Sequence, residues 1–147
     1  MRASLVWSVP KPERTIAVAM RRCYSSKPIE EIEAELEQKG PEYWKYLLSR
    51  ALQDKSLDVI EHFVFTLVVE GMEEVEVGEL AQNFPFARFL PIQGKAWLLS
   101  MNARTLIEIW RRPDFRPFAE AVVTELDSKG VCPIFNSLVF GDRVRAD

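Results

Sequence analysis

The spacing of hydrophobic residues changes at Asn102. Before it, the run Ala96–Met101 is apolar almost throughout, as in a β-strand, and after it apolar residues recur three and four apart over Ala103–Arg112, as in an amphipathic helix. Asn is a favoured helix N-cap, because its side-chain oxygen accepts hydrogen bonds from free amides of the first turn. The pattern therefore predicts a strand that leads directly into a capped helix.

This predicted junction has two interpretations. Free backbone N–H groups and the positive end of the helix dipole attract anions, and Arg104 and Thr105 fall in the same first turn. The junction is thus a candidate anion site. The alternative is that it only connects two elements, which is the commoner case for strand-to-helix junctions.

Elsewhere the pattern predicts a short first strand, Leu5–Val9, and several amphipathic helices. The predicted helices span Glu13–Tyr24, Pro28–Gln38, Pro41–Lys55 and Phe115–Leu126. Tyr43 and Trp44, on a wide apolar face of the third helix, are interpreted as core residues and not as part of a cofactor site. Residues 72–94 are predicted as a crossover with a short helix, and residues 133–143 as a C-terminal segment.

The loop after the first predicted helix holds Ser25 and Ser26, one turn after Arg21 and Arg22. Hydroxyl and guanidinium groups in this arrangement suit a phosphate. The commoner alternative is that serines in a loop between two helices face solvent.

The strongest strand signal covers residues 56–71, which are rich in β-branched and aromatic side chains. Alternation places His62 and Phe63 on opposite faces. Because both faces are mostly apolar, we predict a central strand covered by helices on both sides. His62 is then either a core histidine, hydrogen bonded to Glu61 or to a backbone carbonyl, or a functional residue.

Composition narrows the class of protein. With 147 residues and 48% hydrophobic content, the chain suits one domain, residues 1–147, with one core. Nineteen basic and twenty-two acidic residues give a net charge of −3, so the charge does not favour nucleic-acid binding. The acids concentrate at residues 30–37 and 73–79, which we interpret as solvated faces.

The two cysteines, Cys23 and Cys132, are too few for a disulfide scaffold, and with a single histidine they lack the spacing of a metal site. We expect no structural metal. No apolar run is long enough to cross a bilayer, and the N-terminus lacks the organisation of a signal peptide. A cytoplasmic protein without a membrane partner is therefore expected.

Short motifs occur in an order that resembles the flavin-dependent thymidylate synthase family, also called the thymidylate synthase complementing proteins. They are CYSS at 23–26, EHFVFTLVVEG at 61–71, LP at 90–91, NART at 102–105 and CPIFNSLVFGD at 132–142. The resemblance covers about residues 14–142. It implies an α+β fold with a central, mainly antiparallel sheet flanked by helices, and a homotetramer with FAD between subunits. It also implies methylation of dUMP with methylenetetrahydrofolate and NADPH.

The resemblance implies roles for single residues as well. His62 would lie against the flavin, and Asn102 and Arg104 would contact the cofactor. Cys23, or the serines just after it, would face the phosphates or the adenine side of the cofactor. Arg111 or Arg112 would bind dUMP.

One part of the family pattern is missing. The family carries an Arg-His-Arg run with further Ser and Arg residues, which bind dUMP and FAD, between the central strand and the LP motif. Here residues 72–89 hold four glutamates, no histidine and one basic residue, Arg88, which is the remaining candidate for substrate binding in that interval. Two phosphate-bearing ligands require guanidinium groups held close together. The sequence therefore predicts a shortened, divergent member that binds FAD or a nucleotide, with dUMP methylation weak or lost.

Two alternatives stay open. The chain is a non-catalytic oligomeric binding or regulatory homolog, or it is an unrelated α+β domain in which the motifs match by accident. A structure discriminates between them, because both functional hypotheses require His62 and Arg104 to open onto one shared cleft, preferably at a subunit interface.

Overall fold

The computed structural model describes residues 1–141, which form one sheet and eight α-helices. The strands are β1 (Arg2–Ser8), β2 (Val64–Glu70), β3 (Arg88–Ile92) and β4 (Ala96–Asn102). The helices are α1 (Pro12–Cys23), α2 (Ile29–Lys39), α3 (Pro41–Gln53), α4 (Leu57–Ile60), α5 (Glu74–Asn83), α6 (Ala103–Trp110), α7 (Arg116–Ser128) and α8 (Pro133–Phe140). The long predicted helices are confirmed. Residues 142 and 143 of the predicted C-terminal segment lie outside the described residues.

The four strands form a sheet in the order β1-β2-β4-β3, and all three pairings are antiparallel. Strands β2 and β4 are therefore central and β1 and β3 are the edges. The prediction of an α+β fold with an antiparallel sheet flanked by helices is confirmed.

Burial alternates along β2 and shows how the layers pack. Phe65, Leu67 and Val69 are at most 1% exposed, whereas Val64 is 39% exposed and Val68 is half-buried. The helices thus cover one face of the sheet, and the predicted cover on both faces is wrong. The other face is apolar in sequence, but no helix of the described chain covers it, so it faces solvent.

We call this uncovered side the open sheet face. A β-bulge between Leu5 and Trp7 gives β1 one extra residue, so that both Val6 and Trp7 lie on it. The open sheet face carries Val6, Trp7, Val64, Val68, Leu90, Ile92 and Leu98. Trp7 and Leu90 are 51% and 58% exposed, so the face presents apolar side chains to solvent, although a polar row of Thr66, Ser100 and Arg88 crosses it.

The two edge strands of the sheet are protected against pairing with another strand, whereas the open sheet face is not covered. On β1 the backbone N–H of Leu5 donates to Oε2 of Glu125, at 2.6 Å, so a helix side chain occupies a donor of the edge. On β3 Pro91 has no N–H to offer to another strand. Both devices are typical ways of blunting an edge strand.

The predicted strand at residues 56–71 begins too early. Leu57–Ile60 form the short helix α4, and His62 lies in the turn that follows, where its N–H donates to the carbonyl of Val59 at 3.4 Å. The strand starts only at Val64. Periodicity cannot separate a short apolar helical turn from a buried strand, which explains the error.

The predicted crossover at residues 72–94 contains two elements, α5 and β3. The short helix was predicted, but β3 was not, because prolines argue against a strand. Pro91 is tolerated because β3 is an edge strand. In α3 the core interpretation of the aromatics holds only in part, since Tyr43 and Trp44 are half-buried and Tyr46 is exposed.

Candidate functional site

An open groove of about 450 Å³ lies between α1, α4 and the start of α2. Its polar groups come from Arg22, Cys23, Asp58 and His62, and Thr15 lies at one end. Its apolar wall is made by Val18, Ala19, Ile29 and Val59. The groove thus combines an apolar surface with a small number of ionisable or reactive groups, as ligand sites commonly do.

Helix geometry explains how α1 supplies one side of this groove. Thr15, Val18, Ala19, Arg22 and Cys23 are spaced three and four apart, so they share one helix face. The turn after α4 places His62 opposite them. Cys23 and His62, both predicted to contact the cofactor, are therefore brought together in one groove.

Arg104 stands beside this groove. Its Nη1 contacts Oε1 of Glu61, the residue before His62, at 3.1 Å, and its Nε lies 3.6 Å from Oε1 of Glu108. The backbone N–H of Ala103 also donates to the carbonyl of Phe63 at 2.8 Å, which fixes the start of α6 against the His62 turn. The expected cleft shared by His62 and Arg104 is found only in part, because Arg104 does not line this groove and adjoins His62 through Glu61.

Asn102 caps α6 as predicted. Its Oδ1 accepts a hydrogen bond from the backbone N–H of Thr105 at 2.8 Å. This amide and that of Ala103 are therefore already bonded within the chain and are not available to an anion. The guanidinium of Arg104 is also at this junction, and Glu61 and Glu108 oppose part of its charge.

The two arginines near the end of α1 point apart. Arg21 lies 3.5 Å from Glu35 of α2, whereas Arg22 lines the groove and donates to the carbonyl of Ser25 at 2.5 Å. The hydroxyl of Ser25 accepts the N–H of Lys27. A phosphate held jointly by both arginines is thus not supported, and Arg22 alone remains in the groove.

The three arginines predicted for the substrate are not gathered near His62. Arg88 pairs with Ser100 across the sheet and therefore lies on the open sheet face. Arg112 contacts Asp114 at 3.0 Å and lies over the ring of Phe115, and Arg111 is exposed beside it. These two follow the C-terminal end of α6, about 14 to 15 Å along the helix axis from Asn102.

Sequence reasoning missed Asp58 as a groove residue. Asp58 and His62 are four residues apart, and only the helical turn of α4 brings them to the same side. The sequence did carry a signal for this turn, because Ser56-Leu57-Asp58 precedes the apolar pair Val59-Ile60 and such a sequence commonly begins a helix.

Within residues 1–141, no group of three or more His, Cys, Asp or Glu side chains is arranged to hold a metal ion. Across the same part of the chain, every helix is too short or too polar to cross a membrane.

Comparisons with known proteins give a match to one family and matches to solved structures. The family described as thymidylate synthase complementing protein matches residues 4–83, just over half of the chain, which include Cys23 and His62. The fold is similar to a crystal structure of the flavin-dependent thymidylate synthase ThyX from Helicobacter pylori complexed with FAD and dUMP. The TM-score is 0.68 at 12% identity, over 95% of this chain and 100% of that chain. A comparison with curated proteins gives no match.

The family match and the structural match support each other. The family match spans residues 4–83, which include both Cys23 and His62, and the similar fold extends over 95% of the chain. The resemblance seen in short sequence motifs is thereby confirmed, and this chain belongs to the thymidylate synthase complementing protein family.

Proposed function

We propose that this protein is a flavin-dependent thymidylate synthase-like protein that binds FAD or a nucleotide in the groove of Cys23 and His62. We further propose that its methylation of dUMP is weak or lost. The observation that carries the first part is the meeting of these two residues in one groove, with Arg104 fixed beside it by Glu61.

The residues of the groove suit part of an FAD molecule. The apolar wall suits a ring system, and the guanidinium of Arg22 suits a phosphate oxygen. Bound FAD supplies the redox chemistry, while the protein contributes binding, orientation and electrostatics. The groove is open to solvent, so the rest of the cofactor can contact a second copy of the chain, as in the homotetramer that the family resemblance implies.

The weak or lost methylation rests on the surface of α5. Glu73, Glu74, Glu76 and Glu79 are all exposed there, in the interval where the family places its basic signature. Carboxylates repel the phosphate of dUMP, and Arg88 is separated from them on the open sheet face. If any activity remains, NADPH and a folate would be its co-substrates.

The open sheet face favours a second candidate, a non-catalytic oligomeric or regulatory homolog. Its apolar residues are exposed in one chain, while both sheet edges are blunted. Association through the open sheet face, and not through the edge strands, therefore fits a homo-oligomer. The family resemblance implies that this oligomer is a tetramer. Both candidates place the protein in the cytoplasm.

The test is the visible absorption spectrum of the purified protein, before and after incubation with FAD and desalting. The proposal predicts retained flavin absorbance that falls several-fold in His62→Ala. Arg14→Gln is the matched control, because Arg14 is on α1 but pairs with Glu37 outside the groove. A colourless protein that releases added FAD would overturn flavin binding and leave the oligomeric homolog.

Flavin retention is then followed by an activity test. NADPH oxidation is measured with and without dUMP, and a strain that lacks thymidylate synthase is tested for growth without thymidine. We expect little dUMP-dependent oxidation and no growth. Growth without thymidine would contradict the loss of methylation but not the binding of flavin.

A further inference from the structure

A second cleft, of about 240 Å³, lies between α1 and α3, on the side of α1 opposite the groove of His62. Its floor is apolar and is made by the buried side chains of Met20 and Leu47. Around this floor stand aromatic and cationic side chains, namely Tyr24, Tyr43, Tyr46, Arg21 and Arg50. None of these residues is needed for the proposed flavin groove.

The aromatic wall of this cleft is only partly used by the fold. Tyr43 and Tyr46 are three residues apart on α3, with ring centroids 6.2 Å apart and planes inclined by 17°. Tyr46 is nevertheless 55% exposed, and Tyr24 is also exposed. Within residues 1–141, none of the three phenol hydroxyls makes a hydrogen bond. Ring surface and hydroxyl groups are thus both available to a ligand.

The charged groups of the cleft leave donors available. Arg50 contacts Asp54 through a single nitrogen, Nη2, at 3.3 Å, although a guanidinium has five N–H donors. The Nε of Arg21 is buried and lies 3.5 Å from Oε1 of Glu35, so it is not one of these available donors. Two arginines and one carboxylate, that of Asp54, line the cleft, and Glu35 outside the lining opposes the charge of Arg21, so Arg50 is the cation left to a ligand.

We propose that this cleft binds a small planar aromatic carboxylate. The ring packs against Tyr46 and over the Met20–Leu47 floor, where aromatic and apolar contacts are favourable. The carboxylate accepts hydrogen bonds from Arg50, whose planar fork matches a carboxylate in two places. The tyrosine hydroxyls bond polar groups on the ring.

The test is a titration of the full-length protein with 2-naphthoate, followed by backbone amide chemical shifts. We expect the largest shifts at residues 20–24 and 43–54, and a dissociation constant about tenfold higher in Arg50→Gln and in Tyr46→Ala. Both side chains are exposed enough for these variants to fold. Arg14→Gln, another ion-paired arginine, is the matched control and should bind like the unchanged protein.

Two reference compounds separate the parts of the proposal. The neutral 2-naphthamide should bind at least fivefold more weakly than 2-naphthoate, and acetate should give no shifts in the cleft. Equal binding of the amide and the acid, equal shifts with acetate, or unchanged binding in Arg50→Gln would each overturn the proposal. Because no flavin is involved, these results are independent of those for the His62 groove.

Discussion

The carboxylate of Glu13 accepts a hydrogen bond from the backbone N–H of Phe135, with 2.5 Å between Oε2 and N, although 122 residues separate the two in sequence. Glu13 is in the first turn of α1 and Phe135 in the first turn of α8. A carboxylate from one helix thus satisfies a free amide at the start of another. Phe135 in turn packs edge-on against Phe63, just before the central strand β2.

This contact makes stability depend on pH in a defined direction. Burial raises the pKa of the Glu13 carboxyl, and the backbone hydrogen bonds from Phe135 and Ile134 lower it in part. Because the pKa in the folded state exceeds that in the unfolded state, folding favours the protonated form. The contribution is fully present below the unfolded pKa and is lost as the pH rises through the folded pKa.

Glu13→Gln should keep the hydrogen-bond acceptor and remove this pH dependence, whereas Glu13→Ala should lose about 1–3 kcal/mol of unfolding free energy through an unpaired amide. Urea unfolding between pH 4 and pH 8 checks both. The difference between Glu13→Gln and the unchanged protein should grow in favour of the variant as the pH rises. Parallel stability curves would show that Glu13 does not titrate as described.

The two cysteines should differ in reactivity towards iodoacetamide. Cys23 is exposed in the groove, whereas burial, together with the carboxylates of Glu13 and Asp127, raises the pKa of the Cys132 thiol far above its usual range. The thiolate is the reactive form, so the native protein at pH 8 should be labelled at Cys23 alone and the urea-unfolded protein at both. Mass spectrometry of the labelled peptides measures this.

The same reaction tests the flavin groove. Added FAD should slow the labelling of Cys23 several-fold if it occupies the groove. An unchanged rate at a saturating concentration of FAD would place the cofactor elsewhere.

Arg104→Gln should affect ligand binding more than stability. The side chains of Arg104 and Glu61, which form an ion pair, are 39% and 41% exposed. Exposed ion pairs contribute less than about 1 kcal/mol to the free energy of unfolding. We therefore expect a nearly unchanged urea midpoint together with several-fold weaker FAD retention. Arg14→Gln removes another exposed pair and should leave retention unchanged. A large fall in the midpoint would instead indicate a structural role for Arg104.

The open sheet face can be tested with two matched substitutions. Val6 lies on this face and is 59% exposed, whereas Val75 on α5 is 73% exposed and lies outside it. Val6→Glu should lower the molar mass measured by light scattering after size-exclusion chromatography, because a charge at an apolar interface opposes association. Val75→Glu should leave the mass unchanged. If both variants keep the mass of the unchanged protein, the interface lies elsewhere.

Local signals in the sequence predicted local structure well. The change of period at Asn102 gave both the strand-to-helix junction and the cap, because an N-cap depends only on neighbours in the chain. Pro28 and Gly40 likewise gave the limits of α2, and Pro41 gave the start of α3. The site was harder to predict, because the meeting of Cys23 with His62 depends on how α1 packs against α4.

Other errors have a common physical cause. An apolar pattern shows which residues avoid water but does not show what covers them. Val64 and Val68 of the open sheet face were predicted to lie under helices, although no helix of the described chain covers them. The ion pair of Arg104 with Glu61 joins residues 43 apart, and nothing in the local pattern selects that partner.

The protection of both sheet edges affects whether the protein forms fibres at high concentration. Fibres grow when each added chain extends a sheet and offers a fresh edge to the next. Here Glu125 occupies an amide of one edge strand and Pro91 removes a donor from the other. The folded chain therefore resists templated, open-ended polymerisation. Its exposed apolar residues lie on the open sheet face, where association favours closed oligomers of fixed size.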